Sequence, residues 1–172
     1  MGKFMIVGNG DIAKALIDRP DRLYFASGVS NSQETRESEY QREKDLLLKQ
    51  DKHQHIVYFG SLCIFYSDTR YAKHKREMEE LVKKTFPHYT IMRMGNITWG
   101  DNPHTLINFL RGKVARGEPF KIRDVTRYII EKPEFLHWIN LIPKWNCEMN
   151  VTGRRMAELE IFREFVSQDF QL

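Results

Sequence analysis

The 172-residue sequence predicts an α/β fold, a doubly wound parallel sheet of few strands with helices on both faces. Three observations carry that prediction. Short apolar runs alternate with charged segments of helical period. Several of these runs close on glycine or a small polar residue, as strands do where they turn into a helix. Finally, 41% hydrophobic and 12% aromatic residues supply a core that needs no disulfide or metal support.

The elements follow in order. Residues 3–7 form a short strand running into Gly8-Asn9-Gly10-Asp11-Ile12-Ala13, and Ala15, Leu16 and Ile17 continue a helix that Pro20 helps end. Residues 23–26 read as a second buried strand, closing on the small loop Ser27-Gly28-Val29-Ser30. A charged helix of about 33–50 follows. A third strand, 56–59, ends in Gly60-Ser61, and helix 70–85 places Met78, Leu81 and Val82 on one stripe. A fourth strand, 90–94, closes on Gly95-Asn96, and a helix of roughly 103–116 turns Leu106, Phe109, Leu110 and Val114 toward a core. Beyond it, 119–122 is expected as a short strand, 133–142 as a helix, 147–151 as a strand and 154–168 as a final amphipathic helix. No linker rich in Gly, Pro or Ser divides the chain, so one domain over 1–172 is expected.

Bulk properties narrow the function. A net charge of +4, with acids and bases intermixed, marks solvated helix faces rather than a nucleic-acid stripe, although it favours a small anion such as a nucleotide. No apolar run approaches the ~20 residues that cross a bilayer, so no membrane partner is expected. The N-terminal apolar run stops at glycines and does not read as a secretory signal. Cys63 and Cys147 stand far apart, which points to a reducing, cytoplasmic setting.

Gly8-Asn9-Gly10-Asp11-Ile12-Ala13 is a G-x-G-x-x-A element between a strand and a helix. Its first glycine suits a tight turn and its second a close backbone approach to a pyrophosphate. The small third position lets helix pack on strand, and the helix N-terminus offers free N–H groups. Asp11 either places a negative charge near the phosphates or faces solvent on the first turn. A second constellation joins Ser61 at a strand end to Tyr71 and Lys75, four apart on one helix face. A lysine ammonium beside a tyrosine hydroxyl favours the phenolate, and such a tyrosine exchanges a proton with a substrate hydroxyl during hydride transfer. The serine hydroxyl would orient the same oxygen.

With these residues in place, the chain resembles a shortened member of the extended short-chain dehydrogenase/reductase superfamily, in its NAD-dependent nucleotide-sugar epimerase and dehydratase branch. Val57-Tyr58-Phe59-Gly60-Ser61-Leu62-Cys63-Ile64-Phe65-Tyr66 is similar to the segment around that family's serine, and Tyr71-Ala72-Lys73-His74-Lys75 to its Tyr-x-x-x-Lys helix. Arg93-Met94-Gly95-Asn96-Ile97-Thr98-Trp99-Gly100 is similar to the next strand and loop, and Arg127-Tyr128-Ile129-Ile130 to a stretch whose arginine meets substrate phosphates. The strand that closes on Ser27-Gly28 resembles the family's fourth, so two strands are missing; nothing acidic stands between Arg22 and Gln33 to meet an adenosine ribose.

The resemblance implies a Rossmann-like fold whose C-terminal portion, about 119–172, is a reduced substrate lobe. It implies Ser61, Tyr71 and Lys75 as catalytic residues, with Tyr71 the acid/base. It also implies NAD or NADP held by Gly8, Asn9, Gly10, Asp11, Ile12, Ala26, Ser27, Gly28, Tyr71, Lys75, Met94 and Ile97. A nucleotide-sugar substrate would meet Ser61, Tyr66, Asn96 and Arg127, and a homodimer would form through helices about 33–50 and 70–85. The alternative is a degenerate nucleotide-binding module without turnover. His53 and His55 lack partners at ligand spacing, so no metal is expected. Cys63 is expected as a buried thiol, and Trp99, Trp138 and Trp145 as packing residues.

Overall fold

A computed structural model describes residues 5–170; Lys3 and Phe4, expected in the first strand, lie outside the described residues. The chain forms β1 (Ile6–Val7), α1 (Asp11–Ala15), β2 (Leu23–Phe25), α2 (Glu37–Leu48), β3 (Ile56–Ser61), α3 (Arg70–Thr85) and β4 (Tyr89–Met94). There follow β5 (Asn96–Ile97), α4 (Leu106–Ala115), β6 (Thr126–Ile130), α5 (Lys132–Asn140), β7 (Cys147–Val151), β8 (Arg154–Ala157) and α6 (Glu158–Phe165). Two short 3₁₀ turns cover Leu62–Phe65 and Ser167–Phe170.

The main sheet is parallel throughout, in the order β1-β2-β3-β4-β7. Its central strands are continuous apolar runs because both faces are buried. Period-two alternation divides them between two cores. Tyr24, Val57, Phe59, Met92 and Met94 meet α1 and α5 through Leu16, Phe135 and Ile139. Leu23, Phe25, Ile56, Tyr58 and Ile91 meet α2 and α3 through Leu47, Met78 and Val82. The helix over 70–85 stands as the sequence predicts, because Thr69 caps its start by accepting from the Ala72 N–H (3.2 Å) and Lys83 and Lys84 complement its last turn.

Helices thus cover both faces, but the strand order advances in one direction only and β1 is the outer strand. Because α1 lies on the face opposite α2 and α3, the β1–α1–β2 crossover has the opposite hand from its two successors. One hand accounts for about 98% of such connections. Only residues 16–22 run between α1 and β2.

The second sheet, β5-β6-β8, builds a small lobe with its own core of Ile107, Leu110, Ile129, Met156, Ile161 and Val166. Four expectations about element bounds are corrected. Residues 119–122 form no strand, and β6 lies at Thr126–Ile130 instead. The helix expected over 154–168 begins only at Glu158, because Arg154–Ala157 pairs antiparallel with β6, Arg127 opposite Met156. The sequence spacing of Met156, Leu159 and Phe162 imitated a helical stripe; long-range pairing overrode it. The second sheet includes β5, while α5 and β7 belong to the main sheet's layers. The charged helix expected from 33 starts at Glu37, and the helix expected from 103 starts at Leu106 behind the Thr105 cap.

Candidate functional site

The carboxyl ends of β1 to β4 and the loop that follows β5 enclose a cleft of about 720 Å³. Ligands bind at that edge of open parallel sheets. It brings together residues far apart in sequence: Asn9, Gly10, Asp11 and Ile12 after β1, and Ala26, Ser27 and Gly28 after β2. Ser61, Tyr71 and Lys75 come from β3 and α3, and Met94, Asn96, Ile97, Tyr66 and Arg127 complete the set proposed from the sequence. Gly8 stands behind this lining. Its φ of +126° is unfavourable for an L side chain, and a Cβ there would lie 2.3 Å from the Ala26 carbonyl oxygen. It lets the loop close on β2.

Gly10 caps α1 with no side-chain hydrogen bond to the helix N–H groups. Asp11 does not face solvent, one of its two expected placements. It is buried, and its carboxylate accepts from the Asp101 N–H (3.2 Å) and the Asn102 N–H (3.0 Å), while the Trp99 indole donates to its carbonyl (3.2 Å). The first helical turn is therefore clamped to the loop after β5.

Ser61 ends β3 and its hydroxyl accepts from the Cys63 N–H at 3.2 Å. Tyr71, one helical step into α3, lines the same cleft as Ser61. Its acidity departs from expectation. Burial and the neighbouring Cys63 and Glu43 push the Tyr71 phenol upward, with the Ser61 side chain as a partial counterweight. Lys75 does not deliver the anticipated phenolate, because its ammonium is engaged elsewhere: it donates to Glu43 Oε1 (3.2 Å) and to the Tyr58 hydroxyl (3.3 Å), and sits 5.5 Å from the Tyr71 ring centre. Cys63 is partly buried and its thiol is raised by burial, which leaves it a poor nucleophile.

At the lobe end, Asn96 is a strand residue rather than a turn residue, and its amide donates to the Tyr128 carbonyl (3.2 Å). Arg127 lies on β6, not in a loop, and pairs with the buried Glu158 at 3.3 Å. Arg123, absent from the sequence proposal, shares that carboxylate at 3.4 Å and lines the cleft, as does His104. Two guanidiniums on one carboxylate leave net positive charge facing the opening. Glu43 and His74 were also missed. The buried positions Tyr40, Glu43 and Leu47 mark α2's inward stripe, and an acid on such a stripe is the signal that reveals Glu43.

Among the described residues no His, Cys, Asp or Glu group has metal-ligand geometry; His55 instead bonds the Thr90 hydroxyl (2.8 Å). Trp99 packs on Phe135, whereas Trp145 is 72% exposed and does not pack as expected. No helix is long and apolar enough to cross a membrane among the described residues.

No family model and no curated protein matches the sequence. Solved structures do match. The Bordetella bronchiseptica enzyme WbmG in complex with NAD aligns at a TM-score of 0.64 and 14% identity over 84% of this chain and 54% of its own. UDP-glucuronic acid 4-epimerase from Bacillus cereus, in complex with UDP-glucuronic acid and NAD, aligns at 0.64 and 15%, over 83% and 57%. UDP-N-acetylglucosamine 4-epimerase from Methanobrevibacter ruminantium, in complex with UDP-N-acetylmuramic acid, aligns at 0.61 and 16%, over 90% and 62%. These identities establish the fold, and the chain spans little more than half the length of each structure.

Proposed function

We propose that the cleft binds a nicotinamide dinucleotide, NAD or NADP, and that Ser61, Tyr71 and Lys75 serve an oxidoreductase or epimerase reaction on a nucleotide sugar. One observation carries the reading: the glycine loop and the Ser61–Tyr71–Lys75 set, drawn from three separate segments, line a single cleft at the carboxyl edge of the sheet. The neighbouring folds crystallised with NAD and UDP-sugars support the same assignment. The residues suit such a cofactor, since the bare Gly10 cap leaves N–H groups for phosphates and Gly28 offers backbone without a side chain.

The bound nicotinamide would supply hydride transfer. Tyr71, its phenol pushed upward by burial and so protonated at neutral pH, would give a proton to a substrate oxygen and recover it in the reverse direction. Ser61 holds that oxygen beside Tyr71. Arg123 and Arg127 present guanidiniums suited to a nucleotide diphosphate. Helices α2 and α3, side by side on one face of the sheet, are the proposed dimer surface, which analytical ultracentrifugation tests.

A second reading, a nucleotide-binding module without turnover, is favoured by the Glu43 carboxylate that already engages Lys75. Turnover separates the two. With NAD and UDP-sugars supplied, the chain should generate reduced nicotinamide or an epimer, and Tyr71→Phe should lower that rate by roughly 10²–10⁴ while binding dinucleotide unchanged. Equal turnover in both forms would remove Tyr71 from the chemistry.

A further inference from the structure

Glu43 lies outside every motif of the cleft and is wholly buried. Its carboxylate takes two donors on each oxygen. Oε1 accepts from the Tyr58 hydroxyl (2.8 Å) and the Lys75 ammonium (3.2 Å), and Oε2 from the Val29 N–H (2.8 Å) and His74 Nε2 (2.8 Å). Those donors come from α3, β3 and the loop after β2, so the group is fixed against rotation from three sides. The Tyr40 ring packs on His74 at 4.5 Å between centroids and closes the outer side.

A buried carboxylate alone takes up a proton, and a buried ammonium alone loses one; together each keeps the other ionised. An ammonium has three donors. Lys75 spends two, on Glu43 and on the Tyr58 hydroxyl, and still lines the cleft. The backbone of Gly28 closes over the pair so tightly that a Cβ there would stand 2.7 Å from Nζ and 3.0 Å from Glu43 Oε1. The lysine tip therefore has one direction left in which to donate.

We infer that Glu43 is a positioning residue for Lys75, holding its ammonium in place and aiming the remaining N–H into the cleft, with Tyr58, His74 and the Val29 N–H fixing Glu43 in turn. What that N–H then meets, a hydroxyl of a bound dinucleotide, rests on the proposed function above.

The test has one arm that needs no cofactor. Reductive methylation of Lys75 by formaldehyde with cyanoborohydride as reductant at neutral pH, read by mass spectrometry, reports how freely its amine reacts. The rate should rise about tenfold or more in Glu43→Gln and by a smaller factor in Tyr58→Phe, which keeps the ring and the carboxylate. In the second arm, NADH binding should weaken roughly 10–100-fold in Glu43→Gln. Circular dichroism establishes that each variant is folded, and Tyr58→Phe carries both arms if Glu43→Gln is not. Unchanged Lys75 methylation in a folded variant overturns the inference, as does unchanged NADH affinity where the parent binds. A parent that binds no dinucleotide, with Lys75 methylation still raised in Glu43→Gln, refutes the proposed function and supports the Glu43–Lys75 relation.

Discussion

The two walls of the cleft are built to different standards. On one side, β3 is six residues long, pairs with β2 and β4, and is backed by a 16-residue capped helix. On the other, β1 among the described residues has two residues, pairs there with β2 alone, and leads into a five-residue helix with no side-chain cap. The first wall holds its charges in a buried, hydrogen-bonded network around Glu43. The second holds its loop by backbone contact with β2 and by one aspartate clamped to the loop after β5. The proposed chemistry therefore sits where the scaffold is well braced, and the proposed phosphate contacts where it is thin.

The largest effect is expected on the rigid wall. Lys75→Met leaves Glu43 buried without its counter-charge, and such a change costs about 3–5 kcal/mol. Urea unfolding near neutral pH measures it. The same carboxylate sets acid sensitivity. Burial alone would raise Glu43, but the Lys75 ammonium, His74 and the Val29 N–H outweigh it and hold the group at about 2 against an ordinary 4.5. A folded value below the unfolded one contributes stability above pH 4.5 that is lost as pH falls toward 2. That contribution is on the order of 3 kcal/mol. In Glu43→Gln the pH dependence of unfolding across that window should flatten; an unaltered slope would place the acid sensitivity elsewhere.

A smaller loss is expected on the thin wall. Gly8→Ala puts a Cβ against the Ala26 carbonyl at a positive φ, costing roughly 1–3 kcal/mol. It should depress dinucleotide affinity more than it depresses melting temperature, because β1 bears little of the core. Equal effects on both would show the two walls to be one cooperative unit. The smallest effect concerns the 2′-phosphate. No strand flanks β1 on its outer side among the described residues, and no acidic residue stands between Arg22 and Gln33. NAD and NADP should then differ in affinity by less than about tenfold. A strong preference would locate a ribose contact that β1 and its neighbours do not provide.

The same contrast explains what was legible in the sequence. Strands β3, β4 and β7 and helix α3 were readable because apolar runs and one clean stripe are local signals. The Ser61–Tyr71–Lys75 set was readable because helical spacing fixes Tyr71 and Lys75 on one face. Strands β6 and β8 were not, since Arg154–Ala157 becomes a strand only by pairing with Thr126–Ile130, some 30 residues away. Arg123 and Glu158 are drawn together by the same pairing. Glu43 looked like one more acid on a charged helix, and the effect of Lys75 on Tyr71 was misjudged because its partner came from α2.

The most direct test of the account is a titration of the purified chain with NADH, following nicotinamide fluorescence, with NAD as competitor. The account predicts saturable binding below millimolar concentration that NAD displaces and Gly8→Ala weakens. Absence of binding by NADH, NADPH and their oxidised forms at millimolar concentration would contradict it.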